Sequence, residues 1–304
     1  MEKLSLLTTE QSNPKTSRLD EMSIEDILNT MNDEDQTVAL AVRQVIPQIE
    51  KTIEKVVEAF KNGGRLLYVG AGTSGRIGVM DAVECPPTFG TSPALVKAVL
   101  AGGKGAMYHA VEGAEDDEAL GAKDLTDLQI NNRDVIIGIA ASGRTPYVKG
   151  ALAYARSCGA TTVSLSNNEA SIISDYADIP IEVITGPEIL TGSTRLRAAT
   201  SHKMVLNMIS TTAMVKTGKV YQNLMVDLNV SNFKLRERAK KMVCMITELD
   251  ENKAESILIE TEYNVKLAIV MILAEVDKET AQSLIEAAGG FVVKAVKHDP
   301  EGEG

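Results

Sequence analysis

Residues 65–76 read R-L-L-Y-V-G-A-G-T-S-G-R, and this stretch decides the fold class. A short apolar run leads into small and hydroxyl-bearing residues, which is typical of a buried strand followed by a helix. The preceding Asn62-Gly63-Gly64 ends a helical pattern, so the periodicity changes here from that of a helix to that of a strand. The stretch therefore predicts a strand–turn–helix unit.

The same alternation continues along the chain. Helical patterns separate most of the further apolar runs, for example at 147–157. Strands that alternate with helices imply a parallel sheet with helices on both faces. The sequence therefore predicts an α/β protein with a doubly wound, flavodoxin-like, five-stranded parallel sheet. The four further strands are predicted at 95–100, 135–140, 161–165 and 179–184.

Helical patterns flank the predicted sheet, and they suggest three parts for the chain. These parts are an N-terminal arm and helix at 1–37, a sheet domain at 38–230 and a small helical subdomain at 231–304. The arm itself, residues 1–20, is predicted to be extended, and the tail at 298–304 is predicted to be frayed. Helices are predicted at 23–31, 36–61, 195–216, 232–249 and over 251–298, the last with breaks near 261–262, 276–277 and 289–290.

The composition indicates a folded protein that binds neither nucleic acid nor membranes. Hydrophobic residues make up 44% of the chain, enough for a substantial core, and the net charge of -11 attracts neither polyanion. No apolar stretch approaches the ~18 residues of a membrane span, and no signal-peptide pattern is present. Three widely spaced cysteines predict free thiols, so we expect a cytoplasmic protein. No Cys or His pair has metal-ligand spacing, and we expect no cofactor.

Ser-Gly-Arg follows two of the predicted strands. It occurs in A-G-T-S-G-R (71–76) and in A-S-G-R-T (141–145), and a third hydroxyl-rich turn, T-G-S-T-R (191–195), precedes a helix. Backbone N–H groups at the start of a helix attract anions, and hydroxyl groups donate further hydrogen bonds. In a parallel sheet such turns meet at the carboxyl edge. The three turns therefore predict a site for a phosphorylated small molecule.

These turns resemble those of the sugar isomerase (SIS) family of phosphosugar-binding proteins. The resemblance implies that the first two turns hold a sugar phosphate and that the third lines the sugar. Ala140 departs from the pattern, because many isomerase-type members carry a hydroxyl residue there. The residues implied to bind phosphate are Thr73, Ser74, Gly75, Ser142, Gly143 and Thr145. Those implied to line the sugar are Gly192, Ser193, Thr194 and Arg195. Glu188 is assigned to the sugar as well, but an ordinary turn carboxylate explains it equally well.

Longer stretches are similar to the etherase subfamily, and this resemblance covers essentially the whole chain. It implies removal of the lactyl ether of N-acetylmuramic acid 6-phosphate, giving N-acetylglucosamine 6-phosphate and D-lactate. It also implies a homodimer that works in amino-sugar metabolism, either in peptidoglycan recycling or in salvage of external wall sugar. The similar stretches are 70–89 (G-A-G-T-S-G-R-I-G-V-M-D-A-V-E-C-P-P-T-F), 110–117 (A-V-E-G-A-E-D-D), 186–196 (G-P-E-I-L-T-G-S-T-R-L) and 9–13 (T-E-Q-S-N).

Glu84 and Glu115 occupy the acid/base positions of the family pattern. An alkyl ether is a poor leaving group, but the open-chain sugar has an acidic proton on carbon 2, beside the ether on carbon 3. One base and one acid then suffice. The resemblance gives Glu84 as the acid for lactate and Glu115 as the base. Without it, Glu115 is better explained as ordinary charge before a helix.

Glu84 is also predicted to end its helix, because Cys85-Pro86-Pro87 follows. A carboxylate is electrostatically unfavourable at a helix C-terminus, which favours a functional role for Glu84. His109 and His202 are interpreted as structural residues.

Two alternatives stay open. An aldose–ketose isomerase on the same fold would also remove the proton from carbon 2, but it would leave the ether intact. A sugar-phosphate sensor would bind the ligand without turnover. The chain shows no helix-turn-helix extension and no basic face, which disfavours a DNA-binding sensor.

Overall fold

The structure is a computed structural model that describes residues 7–228, 230 and 232–297. The chain falls into two compact units. The N-terminal unit comprises Met1–Val83 with Pro93–Thr211, and the C-terminal unit comprises Glu84–Ser92 with Thr212–Gly304. The boundaries suggested by the sequence, at residues 37 and 230, remain a prediction.

One five-stranded parallel sheet forms the centre of the N-terminal unit, which confirms the predicted fold class. The strand order is β2-β1-β3-β4-β5, the flavodoxin-like order in which the topological switch lies between β1 and β3. Every residue of β1 and β3 is buried, because helices cover both faces of the sheet. The strands are β1 (Leu66–Gly70), β2 (Val96–Leu100), β3 (Val135–Ile139), β4 (Thr161–Ser166) and β5 (Ile179–Glu182).

Six helices precede, separate or follow these strands. They are α1 (Ile24–Gln44), α2 (Ile46–Lys61), α3 (Gly72–Phe89), α4 (Glu118–Asp127), α5 (Pro146–Ser157) and α6 (Arg197–Lys216).

The break between the first two helices lies at Val45, so the predicted gap at 32–35 is wrong. Pro47 has no N–H for the carbonyl of Arg43, which interrupts the helix at this point. The polar residues near position 34 stay helical because the buried side chain of Glu34 forms an ion pair with Arg197 at 2.7 Å. A tertiary contact therefore overrides the local pattern.

Helix α3 continues through Pro86 and Pro87 to Phe89, so the prediction that it ends at Glu84 is also wrong. The prolines remove two helical hydrogen bonds, yet the backbone stays helical up to the residue before Gly90. Gly90 adopts a φ of 61° and donates its N–H to the Pro86 carbonyl at 2.9 Å. A Cβ at Gly90 would overlap the Asp227 carbonyl. Glu84 is thus not in the last turn, so its carboxylate does not stand at the unfavourable end of the helix dipole, and its position in the helix gives no support for a functional role.

The N-terminal arm is not extended over its described part. It forms three short 3₁₀ turns, at Thr8–Glu10, Pro14–Thr16 and Leu19–Glu21. Buried Thr9 exchanges hydrogen bonds with Asn168, at 3.4 Å from its N–H and 3.1 Å to its hydroxyl. The Thr16 hydroxyl donates to the Ile189 carbonyl at 2.8 Å. These partners are far away in the sequence, so no local pattern reveals them.

The C-terminal unit is helical, as predicted, and the three predicted breaks are confirmed. Polar side chains cap four of its helices, namely Asn232, Asp250, Asn264 and Asp277. Its helices are α7 (Phe233–Thr247), α8 (Glu251–Glu260), α9 (Val265–Ala274), α10 (Lys278–Ala287) and α11 (Val292–Lys297). The predicted frayed tail at 298–304 lies outside the described residues. Among the residues described, no helix is long and apolar enough to cross a membrane.

Candidate active site

The two Ser-Gly-Arg turns begin side by side at the carboxyl edge of the sheet. Strands β1 and β3 are parallel neighbours, and their last residues, Gly70 and Ile139, are paired. A Cβ on Gly70 would lie only 3.1 Å from the Ile139 carbonyl oxygen. The turns therefore flank the topological switch point, where ligands of open α/β sheets bind.

The first turn is also the first turn of helix α3. Gly72 opens the helix at a φ of 53°, and Thr73 and Ser74 follow it with half-buried side chains. Gly75 packs against β1 so closely that a Cβ would lie 2.5 Å from the Gly70 carbonyl oxygen. The first N–H groups of a helix have no partner within the helix, so this turn presents donors at its positive end.

A cavity of about 210 Å³ opens beside the first turn and contains Glu115 in its wall. The segment that follows β2 forms the rest of the wall, and Arg76 ties this segment to the first turn by donating from Nε to the Ala106 carbonyl at 3.0 Å. The lining residues include Gly72, Thr73, Arg76, Ala110, Gly113 and Glu115. The structure therefore brings a predicted phosphate-binding residue and a predicted base to one cavity.

Glu115 does not serve as the cap of the following helix. Asp117 takes that role, because its side chain accepts a hydrogen bond from the Leu120 N–H at 2.9 Å. Glu115 lies in a short 3₁₀ turn, Ala114–Asp116, after Gly113 at a φ of 73°. Helix capping therefore accounts for Asp117 and not for Glu115, which is exposed and lines the cavity.

The second turn is held by packing. Gly143 adopts a φ of 70°, and a Cβ there would overlap the Cβ of Ser171. The Gly143 carbonyl accepts from the Ile173 N–H at 3.0 Å, and the Ser142 hydroxyl oxygen accepts from the Arg144 N–H at 3.3 Å. Thr145 is half-buried and precedes α5 as its N-cap residue. The turn is therefore rigid before any ligand arrives.

The third turn lies before α6, and Glu188 caps that helix. Its carboxylate, 1% exposed, accepts from the N–H groups of Arg197 and Ala198, both at 2.9 Å. Burial raises the pKa of Glu188, while the two N–H donors and Arg197 oppose that shift. Helix capping accounts for Glu188, and its contact with the sugar remains a prediction. Gly192, Ser193, Thr194 and Arg195 do not line the 210 Å³ cavity of the described structure.

Comparison with known proteins gives the family. Residues 48–156 match the family described as the glucokinase regulatory protein N-terminal SIS domain, and residues 108–212 match the SIS domain. Residues 222–289 match the C-terminal lid domain of glucokinase regulatory protein. An N-acetylmuramic acid 6-phosphate etherase from Geobacillus sp. (strain WCH70) is 54% identical over 294 residues, which cover 97% of this chain and 100% of the relative. The chain belongs to the N-acetylmuramic acid 6-phosphate etherase family.

Other members of the family are similarly close. The N-acetylmuramic acid 6-phosphate etherase of Bacillus subtilis (strain 168) is 52% identical over 292 residues, with 96% of each chain covered. Among solved structures, a putative phosphosugar isomerase involved in capsule formation from Bacteroides fragilis NCTC 9343 is 18% identical. It covers 65% of this chain and 94% of its own, with a TM-score of 0.49.

In this member of the etherase family, Glu84 is an exposed residue of α3 and belongs to the C-terminal unit. Its part in the chemistry remains a prediction from the family pattern. No cluster of three or more His, Cys, Asp or Glu residues suited to a metal ion occurs in the part of the chain that the structure describes.

Asn168 supports the second turn, although no sequence motif pointed to it. Its Nδ2 donates to the Ala141 carbonyl at 3.1 Å and also to Thr9, which links the arm to this turn. The neighbouring Asn167 N–H donates to the same carbonyl at 3.0 Å. The available signal was the polar pair Asn167-Asn168 directly after a buried strand, a position where side chains reach the carboxyl edge.

Proposed function

We propose that this chain is a carbon–oxygen lyase that removes the D-lactyl ether of N-acetylmuramic acid 6-phosphate. The products are N-acetylglucosamine 6-phosphate and D-lactate. The observation that carries the proposal is the cavity in which Glu115 stands beside the first Ser-Gly-Arg turn, in a chain 54% identical to an etherase over nearly its whole length.

The phosphate of the substrate binds between the two Ser-Gly-Arg turns in this proposal. Thr73, Ser74 and Gly75 supply donors from the start of α3, and Ser142, Gly143 and Thr145 supply them from the second turn. Support comes from the pairing of Gly70 with Ile139, which brings the starts of both turns together. A phosphate held at a fixed point positions the reacting carbons of a flexible open-chain sugar.

Glu115 acts as the base that takes the proton from carbon 2. The resulting electron pair forms the double bond between carbons 2 and 3 as the bond from carbon 3 to the ether oxygen breaks. Lactate leaves with a proton from Glu84, and water then adds to carbon 3 while carbon 2 regains a proton. The sequence neither oxidises nor reduces the substrate, and it requires no metal or organic cofactor.

We also propose that the chain works as a cytoplasmic homodimer in peptidoglycan recycling. Large hydrophobic side chains are exposed on three helices of the N-terminal unit, among them Leu28 on α1 (60%), Ile46 on α2 (46%) and Val83 on α3 (58%). A contiguous patch of such side chains would be typical of a surface that another chain covers. No disulfide joins the three cysteines of the described residues, Cys85, Cys158 and Cys244, which suits a reducing compartment.

Incubation with N-acetylmuramic acid 6-phosphate tests the function, with D-lactate measured by a coupled dehydrogenase. Stoichiometric D-lactate is expected from the phosphorylated sugar and almost none from N-acetylmuramic acid. Conversion of the sugar without lactate would indicate an isomerase, and binding without conversion would indicate a sensor. Light scattering tests the dimer, which should have about twice the 32.6 kDa of one chain.

A further inference from the structure

A buried polar seam joins helices α3 and α6 behind the first turn, entirely within the N-terminal unit. Nδ1 of His202 lies 3.5 Å from Oγ of Ser74, and two helical turns further along, the Ser210 hydroxyl donates to Asp81 at 3.1 Å. Asp81 also accepts from the Tyr68 hydroxyl at 2.8 Å. The two helices therefore contact each other through polar groups at both positions, although packed helices ordinarily do so through apolar side chains.

His202 differs from the other members of this seam because one of its two ring nitrogens forms no hydrogen bond to the residues described. Its side chain is fully buried, and Nε2 has no hydrogen-bond partner among the residues described. Burial lowers the pKa of His202 to about 3, so the ring is neutral at any physiological pH. A neutral imidazole carries one proton, and the position of that proton decides what the ring can do for Ser74.

The two neutral tautomers have opposite effects on the Ser74 hydroxyl. A proton on Nε2 would leave a buried donor without an acceptor, and Nδ1 would then accept the Ser74 proton and turn it away from the ligand. A proton on Nδ1 lets the ring donate to the lone pair of Ser74 Oγ. The hydroxyl proton then points away from the ring, toward the ligand side of the turn.

We propose that His202 is a positioning residue, which donates from Nδ1 to Ser74 Oγ and so aims the Ser74 hydroxyl at the phosphate of the substrate. The inference rests on the proposed function, because it requires that Ser74 binds phosphate. The 3.5 Å separation is at the long limit of a hydrogen bond, and we expect it to shorten when the ligand binds.

A purely structural role does not explain this residue. Burying an imidazole with an unsatisfied nitrogen costs free energy, whereas an apolar side chain of similar size would pack without that cost. Asp81, in the same seam, has hydrogen bonds from two different elements to compensate for its burial. A His202→Leu protein is therefore expected to be as stable as the native protein or more stable.

The test is a double-mutant cycle on the whole protein, with Ser74→Ala and His202→Leu alone and together. The readouts are KM and kcat for N-acetylmuramic acid 6-phosphate, the dissociation constant of N-acetylglucosamine 6-phosphate and the melting temperature. Each single change should raise KM and weaken product binding by roughly three- to tenfold, with kcat nearly unchanged. In the Ser74→Ala background, His202→Leu should add less than about twofold, because the pair acts as a unit.

A conservative variant and a spectroscopic measurement complete the test. His202→Asn places an amide N–H near the position of Nδ1 and should recover most of the lost affinity, while His202→Leu should not. In a ¹⁵N histidine spectrum of the native protein, the signal that His202→Asn removes should show a proton on Nδ1 and no titration between about pH 5 and 8. If His202→Asn fails to fold, comparison with the spectrum of His202→Leu makes the same assignment.

The outcomes separate the inference from the proposed function. If Ser74→Ala leaves KM and product affinity unchanged, Ser74 does not bind the phosphate, and the positioning role of His202 is overturned as well. If Ser74→Ala weakens binding but His202→Leu does not, or if the losses of the two variants simply add, only the positioning role is overturned. A proton on Nε2 in the native protein would also overturn it.

Discussion

The two Ser-Gly-Arg turns follow neighbouring strands and share three residues, yet the structure supports them in opposite ways. The first opens onto the 210 Å³ cavity that Glu115 lines. The second turn is instead packed against other residues, because Ser171 contacts Gly143 and the Asn168 side chain donates a hydrogen bond to the Ala141 carbonyl. The same tripeptide therefore forms an open wall in one place and a rigid anchor in the other. We expect Glu115, beside the first turn, to control turnover, while both turns hold the phosphate and the second turn holds it more strongly.

The largest expected effect is the loss of turnover when the base beside the first turn is removed. Glu115→Gln keeps the shape of the side chain and should lower kcat by about 10²–10⁴, the contribution typical of a positioned base, with little change in KM. Lactate release is the measurement. Asp116→Asn is the matched control, because it changes the charge of the next residue and should leave kcat within about twofold. Equal losses in both variants would remove Glu115 from the chemistry.

Glu84→Gln should lower lactate release by a similar factor of about 10²–10⁴, because the leaving group loses its acid. Exchange of the carbon 2 proton with solvent should persist, since Glu115 remains intact. The measurement compares the two rates in one sample by NMR in heavy water. Normal lactate release by this variant would leave the family assignment standing but would show that Glu84 is not the acid.

The rigid second turn should be sensitive to a single methyl group. Gly143→Ala adds a Cβ that overlaps Ser171 at a positive φ and should cost roughly 3 kcal/mol in the free energy of unfolding. Gly72→Ala in the first turn is the matched control, because its φ is also positive but nothing lies within 4 Å of the added Cβ. It should cost only about 1 kcal/mol, by chemical denaturation. Equal costs would contradict the contrast between the two turns.

A smaller and more selective effect is expected at Ser142. Ser142→Ala removes one charge-assisted hydrogen bond to phosphate, worth about 1.5–3 kcal/mol, and should raise KM by roughly ten- to hundredfold. The change in kcat should be small, because the phosphate is bound equally in the ground state and the transition state. Steady-state kinetics distinguish this result from that of Glu115→Gln. A fall in kcat with an unchanged KM would indicate that Ser142 takes part in the reaction and does not hold the phosphate.

The sequence predicted those features of the fold that depend on neighbouring residues. The five strands and the breaks between the C-terminal helices lie within a residue or two of their predicted places, because apolar runs and turn residues act locally. Two of the errors share one cause, since the course of α1 at Glu34 and the folded arm at Thr9 both involve tertiary contacts. Such contacts join residues that no periodicity connects.

The candidate site divides in the same way. The first turn and Glu115 could be predicted as site residues because their motifs and the family pattern lie in continuous stretches; both border one cavity, and their roles stay predictions. The contact of His202 with Ser74 could not be identified, because the two residues are 128 positions apart and a lone histidine in a helix has no pattern. Glu188 was assigned to the sugar, while its role as the cap of α6 depends on the course of the whole turn.

Isotope labelling tests the central claim, elimination followed by addition of water, most directly. The native protein is incubated with N-acetylmuramic acid 6-phosphate in heavy water, and in a parallel sample in oxygen-18 water. The products are analysed by NMR and mass spectrometry. We predict deuterium at carbon 2 of N-acetylglucosamine 6-phosphate and oxygen-18 at its carbon 3 hydroxyl, with unlabelled lactate. Oxygen-18 in the lactate, or no deuterium at carbon 2, would contradict the mechanism.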